Sequence, residues 1–441
     1  MREANVLFGS SALLEEAPGV KEPCLFFPGR TLHNARGFGV DDDTFGRHIL
    51  LLGGSGCGKT NTFFYAIDAV RRAMDQDSFL LIFDPKGDYY RKFYKSGDYV
   101  IGNSAWIRGE SCTWNLFGDV LADGWAEENF LLNARELSAS LFHGRGSTTQ
   151  PFFCNAARDI FYGILIYFIC QARDNPSEWG DKLNNKALVE ELLGYTVGDY
   201  RRVFDSSHDL KYMNTYIGDG SSTQALGVFA ELNSMVSEYL VGIFAGHKKE
   251  KSVAMRRMVR ARGARAVFVE YDLSLGETLS PLYRLLLDLA LKEALGAREP
   301  KGKVYVFADE FKILPKIQHI DDALNFGRSQ GIRLMAGIQS IDQLYDIYGR
   351  DRGAVIAAGF GSLFAFHTND HASRAYITKR FGENLTEYSF HSRAENAMVH
   401  RERSGNTVES WDQLKLGLGQ AFVALGYEAP FLFEFEKFGE S

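Results

Sequence analysis

The 441-residue chain reads as an α/β protein, a mainly parallel central sheet interrupted by an inserted all-α domain. Three observations predict this. Short, continuously apolar runs recur, most of them followed by helical patterns; the alternation stops between about 125 and 262; and the glycine-rich stretch GGSGCGKT joins one apolar run to a helix-like segment.

The runs are HILLLGG (48–54), FLLIFDP (79–85), RAVFVEYDL (265–273), KVYVFADE (303–310), RLMAGIQS (333–340) and SLFAFHT (362–368). They are apolar throughout instead of alternating, as strands covered on both faces are, and the helix after each strand then serves as the crossover of a parallel sheet. Between 125 and 262 the segments WAEENFLLNARELSASLF, FFCNAARDIFYGILIYFICQA, KALVEELL and TQALGVFAELNSMVSEYLVGIF all read as helices. Polar stretches at 143–151 and 172–185 read as surface connections. The expected organisation is an N-terminal extension (1–44), a discontinuous nucleotide-binding domain (45–124 and 263–441) and an inserted all-α domain (125–262).

Composition, with 45% hydrophobic and 24% charged residues, is that of a globular protein. The longest apolar run, Ile160 to Cys170, is shorter than the roughly 20 residues of a spanning helix and reads as a buried helix. The first 20 residues show neither a signal peptide nor a membrane anchor, so a soluble, cytoplasmic protein is expected. Five scattered cysteines without a CxxC pair argue against a disulfide framework and a zinc site. A net charge of −7 argues against a protein coated in nucleic acid. The basic segment His247 to Arg265 is read either as a contact for a polyanion or neighbouring subunit, or as a solvated face.

Gly53, Gly54, Ser55, Gly56, Cys57, Gly58, Lys59 and Thr60 fit the pattern GxxxxGK(S/T) between a strand and a helix. Glycines let the backbone wrap phosphate and aim N–H groups and a helix N-terminus at it. Lys59 would reach the β- and γ-phosphates and the Thr60 hydroxyl would hold Mg²⁺, while Cys57 reads as a small loop residue. KVYVFADEF ends a strand in two acids: Asp309 would hold the metal through water, and Glu310 would polarise the attacking water. Gln339, at the end of the next strand, is placed to sense the γ-phosphate, or else to cap the following helix. Asp84 and Lys86 in FDPKGDYY would support the metal shell and meet nucleotide or a neighbour, unless the stretch is an ordinary β-turn. Arg328, Arg333 and the 256–265 cluster are the candidates for an arginine that stabilises charge in a neighbouring subunit's site, with Arg328 preferred.

Taken in order, GGSGCGKT, DPKGD, FADEFKILPKI, GRSQGIRLMAGIQSIDQLYDIYG and HTNDHASRAYITKRFGENLTE resemble the coupling-protein family of type IV secretion and conjugation, related to chromosome-segregation translocases. TQPFFCNAARDIFYGILIY looks like the start of that family's all-α domain, and the resemblance covers roughly 45–435. It implies a RecA-like P-loop ATPase domain with an inserted helical domain, assembled as a hexamer. It implies ATP and Mg²⁺ as cofactors, and hydrolysis that drives or licenses transfer of DNA, a relaxase–DNA complex or protein substrates. Secretion-system components are implied as partners. Family members typically begin with a transmembrane anchor; the expectation here is a chain peripheral at the inner face of the membrane through a separate anchor protein. A soluble DNA translocase in repair or defence, and a substrate receptor with incidental hydrolysis, are the alternatives. A GTP switch is disfavoured because no NKxD-type segment follows the acidic strand.

Overall fold

The computed structural model describes residues 3–7, 13–33, 37–145, 151–218, 220–272, 274, 276–296, 302–313, 316–392 and 397–439. The loop expected at 143–151 lies outside the described residues from 146 to 150, as do 314 and 315 of the acidic motif and position 273 of the run 265–273. The chain forms two compact units: Met1–Asp84, Asp88–Lys95 and Ala297–Ser441 make one, and Pro85–Gly87 with Ser96–Gly296 the other. The second unit therefore begins and ends outside 125–262. It takes in a parallel strand pair, Tyr99–Ile101 with Arg265–Glu270, and the helix Gly276–Leu295.

In the first unit, eight strands lie side by side. In chain order they are β1 (Gly29–Arg30), β2 (Ile49–Leu52), β3 (Phe79–Asp84), β4 (Val304–Ala308), β5 (Ile332–Ile338), β6 (Ser362–Phe366), β7 (Gln420–Ala424) and β8 (Phe431–Phe435). Their spatial order is β1-β8-β7-β6-β2-β5-β4-β3. From β6 to β3 every pairing is parallel; β7, β8 and β1 extend the β6 edge antiparallel. Every residue of β2, β3, β4, β5 and β6 is buried, the physical counterpart of their unbroken apolar sequence. Helix α1 (Lys59–Ala73) follows β2 and buries Phe63, Ala66, Ile67 and Val70, a stripe at helical spacing.

Residues 25–33 and 37–40, expected as part of an extension, are built into this unit. Phe27 and Phe38 stack at 5.1 Å, and Phe38 meets Phe431 and Phe433 edge-on at 5.2 and 4.6 Å. Such pairs contribute about 0.5–1.5 kcal/mol each beyond area burial. A separate antiparallel sheet joins Glu3–Leu7 to Glu383–Ser392 and Ala397–Asn406.

The second unit is mainly helical, with α2 (Glu127–Phe142), α3 (Pro151–Asp174), α4 (Thr223–Tyr239) and α5 (Gly276–Leu295) as its longest helices. Helix α3 runs 24 residues, well beyond the apolar run that marks it in sequence, and is long and apolar enough by length and composition to cross a membrane. It packs on α2 and α4 and buries, among others, Ile160, Phe161, Ile164, Phe168 and Ile169. The basic segment is largely tied up inside this unit. Buried Arg256 pairs with Asp123 and Glu293 at 2.8 and 3.0 Å, and Arg260 pairs with the same two acids. Lys248 donates to the Arg108 and Ser111 carbonyls.

Candidate nucleotide site

The site is built at the C-terminal ends of β2, β4, β5 and β6. Residues 53–58 turn from β2 into α1, with Ser55 and Gly56 exposed at the tip. Both flanks are pinned by neighbouring strands, since Gly53 N–H donates to the Ile338 carbonyl (3.1 Å) and Gly54 N–H to that of His367 (2.8 Å). Two glycines are required by space or backbone. A side chain at Gly53 would lie 2.5 Å from Phe366 Cβ, and Gly58, which opens α1, has φ +116°. The Lys59 ammonium, almost fully buried, donates to the Gly53 and Gly54 carbonyls at 2.6 and 2.9 Å, and so lies within the loop's curve. Burial raises the Cys57 thiol above its ordinary pKa, which keeps it a neutral, small apolar residue.

The acidic pair divides its contacts. Asp309 Oδ2 accepts the Thr60 hydroxyl at 2.6 Å and the Tyr89 hydroxyl at 2.7 Å. Glu310 Oε2 accepts the Gln339 carboxamide at 2.8 Å, while Glu310 Oε1 is buried with no hydrogen bond. Gln343 holds the Gln339 backbone N–H at 3.0 Å. The segment after β5 is fastened to HTND: Ser340 donates to Asp370 (3.2 Å) and Ile341 N–H to Ser373 Oγ (2.9 Å). The structure thus gathers Lys59, Thr60, Asp309, Glu310 and Gln339 at one edge, although they come from three widely separated stretches.

Tyr89 is the member that sequence reading missed. It is buried against Phe63 and Phe64, and burial followed by the Asp309 carboxylate holds its phenol well above the usual range, so the hydroxyl stays protonated and donates. The signal for it was present in FDPKGDYY, but nothing local ties position 89 to position 309. Asp84, buried at the end of β3, accepts the Tyr90 N–H at 2.8 Å and so holds the turn that presents Tyr89. Lys86 is exposed.

Arg328 and Arg333 are not part of this constellation. Both lie at the other end of β5: Arg328 pairs with Asp43, and buried Arg333 forms a two-pronged pair with Asp42 at 2.8 and 3.1 Å.

A cation here fits the donor set only in company. Among the described residues no group of three or more His, Cys, Asp or Glu could hold a metal. Magnesium takes few protein ligands and completes its shell with water and phosphate oxygens, which is what one hydroxyl and one carboxylate beside a phosphate-sized loop provide.

Fold and site together define a P-loop nucleotide-binding protein of the RecA-like α/β type. The family model described as the type IV secretion-system coupling protein DNA-binding domain matches residues 37–410, and the chain belongs to that family. It is 23% identical over 346 residues to the coupling protein TraD of Escherichia coli (strain K12), covering 76% of this chain and 44% of TraD. Against the protein VirD4 of Rhizobium radiobacter it is 26% identical over 299 residues, covering 60% of this chain and 38% of VirD4. The chain therefore spans under half the length of these curated relatives. Among solved structures, the plasmid coupling protein TrwB in complex with ADP and Mg²⁺ superposes with a TM-score of 0.68 at 19% identity, over 90% of this chain and 87% of that one.

Proposed function

We propose that this chain is the ATP-hydrolysing motor portion of a conjugative coupling protein, one that recruits or translocates DNA or a relaxase–DNA complex into a type IV secretion apparatus. The observation that carries this reading is the division of labour beside the phosphate loop: the Thr60 hydroxyl donates to Asp309, and Gln339 holds Glu310 with its second oxygen bare and buried. Family membership supports the transport role.

The residues then act as follows. Loop N–H groups and the N-terminus of α1 hold the phosphates, and Lys59 offsets their charge. Thr60 and Asp309 would hold Mg²⁺, which when bound neutralises charge on the β- and γ-phosphates. Glu310 takes a proton from water aimed at the terminal phosphate, and Gln339 fixes the carboxylate's orientation and relays its state to the segment after β5. The assembly we propose is a homo-oligomer, a hexamer, on the cytoplasmic side of the membrane, working with secretion-system components and a membrane-anchoring partner or segment. The helical stretch 125–262 serves as its inserted domain, and Arg328 acts on a neighbour's site.

Turnover of Mg·ATP, measured with and without DNA, tests this. Lys59→Ala should abolish nucleotide binding, and Glu310→Gln should keep binding while lowering kcat by at least about a hundredfold. Hydrolysis that DNA never stimulates, from a protein that never binds DNA, would remove the DNA part of the proposal.

A further inference from the structure

The γ-phosphate end of the site is marked by Asp309, Glu310 and Gln339, which follow β4 and β5 on one side of β2. A nucleotide lying along the loop must run the other way, toward β6 and β7. There the chain has built a second wall. Strand β7 is antiparallel to β6, with Ala421 opposite Phe366, so its first residues sit at the same edge as the phosphate loop. The turn before it, Gly417 to Gly419, leans on the loop itself. Gly419 N–H donates to the Cys57 carbonyl at 3.0 Å, and a side chain at Gly58 would come within 3.1 Å of Gly419 Cα.

This turn is held from behind as well. The Gly419 carbonyl accepts the Phe435 N–H at 2.8 Å, and Gly417 N–H donates to Gln420 Oε1 at 2.9 Å. Next to it, Asn61 in the first turn of α1 clasps the chain after β8, donating to the Glu436 carbonyl at 2.7 Å and accepting the Phe438 N–H at 2.8 Å. Between two glycines fixed in this way stands Leu418, 80% exposed, an apolar side chain on a turn bonded directly to the phosphate loop. A single exposed leucine is unremarkable by itself. One mounted on the flank opposite the acidic pair stands on the side toward which the base of a nucleotide running that way would point.

We infer that Leu418, on the Gly417–Gly419 turn, is the platform for the nucleobase of the bound nucleotide. This rests on the nucleotide-site reading above and deepens it. An aliphatic platform reads the face of a base and not its edge, so it adds affinity for nucleosides without selecting among purines.

The test compares ligands with and without a base. Mg·ADP, Mg·GDP and magnesium pyrophosphate are titrated calorimetrically into the full chain, as wild type, Leu418→Ala and Leu418→Asp. Both variants should unfold at the wild-type temperature without ligand. Leu418→Ala should bind ADP and GDP roughly fivefold more weakly, the aspartate more weakly still, with pyrophosphate affinity unchanged. Unchanged ADP affinity in both variants, or a parallel loss of pyrophosphate binding, overturns the platform and leaves the nucleotide site standing. A wild-type chain that binds none of the three overturns the site and the platform together.

Discussion

At the scale of single residues, the decisive feature is an oxygen shared by two hydroxyls. Asp309 Oδ2 receives both Thr60 and Tyr89, so the carboxylate has its orientation set from the phosphate-loop side and from the β3 side. Hydrogen bonds to a charged group are worth about 1.5–3 kcal/mol each. Removing the phenol hydroxyl while keeping the ring should therefore leave the fold intact and loosen the carboxylate. Tyr89→Phe is expected to raise the Mg²⁺ concentration needed for half-maximal turnover about tenfold, and to weaken ADP binding in Mg²⁺ but not in EDTA. An equal loss of ADP affinity in both conditions would mean that Tyr89 only packs. Asp309 and Glu310 could be read from sequence because strand-end acids after an apolar run have a local pattern. Tyr89 could not, because its partner lies 220 residues away.

At the scale of elements, β2, β3, β4, β5 and β6 were legible because burial on both faces writes itself as unbroken apolar sequence. The sheet of 3–7, 383–392 and 397–406 has no such signature, and the sequence reading assigns no strand to it. The basic segment misled in the opposite sense. Its neutralising acids, Asp123 and Glu293, are distant in sequence, so a paired network looked like an open patch. A further consequence belongs to the entry of β2. His48, fully buried with φ 66°, accepts the Leu334 N–H through Nδ1 at 3.2 Å and so ties β2 to β5. Burial, and then the charge of Arg333, lowers its pKa from 6.5 to about 4. Between those values the unfolded chain binds a proton that the folded chain does not, so stability rises with pH there and is lost as pH falls from 6.5 toward 4. The full effect is about 3 kcal/mol. His48→Asn tolerates the positive φ and keeps an acceptor, and should flatten this part of the curve of thermal midpoint against pH. An unaltered slope in the variant would assign the acid loss to other groups.

At the scale of the whole molecule, the arrangement of one chain leaves its candidate nucleotide site without an arginine from the pair named in sequence. Arg333 is the second residue of the strand Ile332–Ile338, Arg328 precedes that strand, and Gln339 follows its last residue. At about 3.3 Å per residue Arg333 and Gln339 are roughly 20 Å apart, too far for a side chain to span. Arg333 is buried and committed to Asp42, whereas the Arg328 side chain is half exposed and its partner Asp43 lies at the surface. If either arginine stabilises transition-state charge, it is Arg328, and the site it serves is another copy's. Homo-oligomers that share sites in this way complement one another when different parts are removed. Lys59→Ala subunits keep Arg328 but cannot bind nucleotide; Arg328→Ala subunits bind nucleotide but lack the arginine. Each alone should show at most about a hundredth of wild-type turnover, since a supplied arginine is worth roughly 10³–10⁵ in rate in related phosphoryl transfers. An equal mixture should recover roughly a quarter of wild-type activity, the share of all sites that combine an intact Lys59 with a neighbour carrying Arg328 when copies assemble at random. An Arg328→Ala protein with normal turnover would exclude the residue from catalysis, and a mixture as inactive as its parts would show that no arginine crosses between copies at this position.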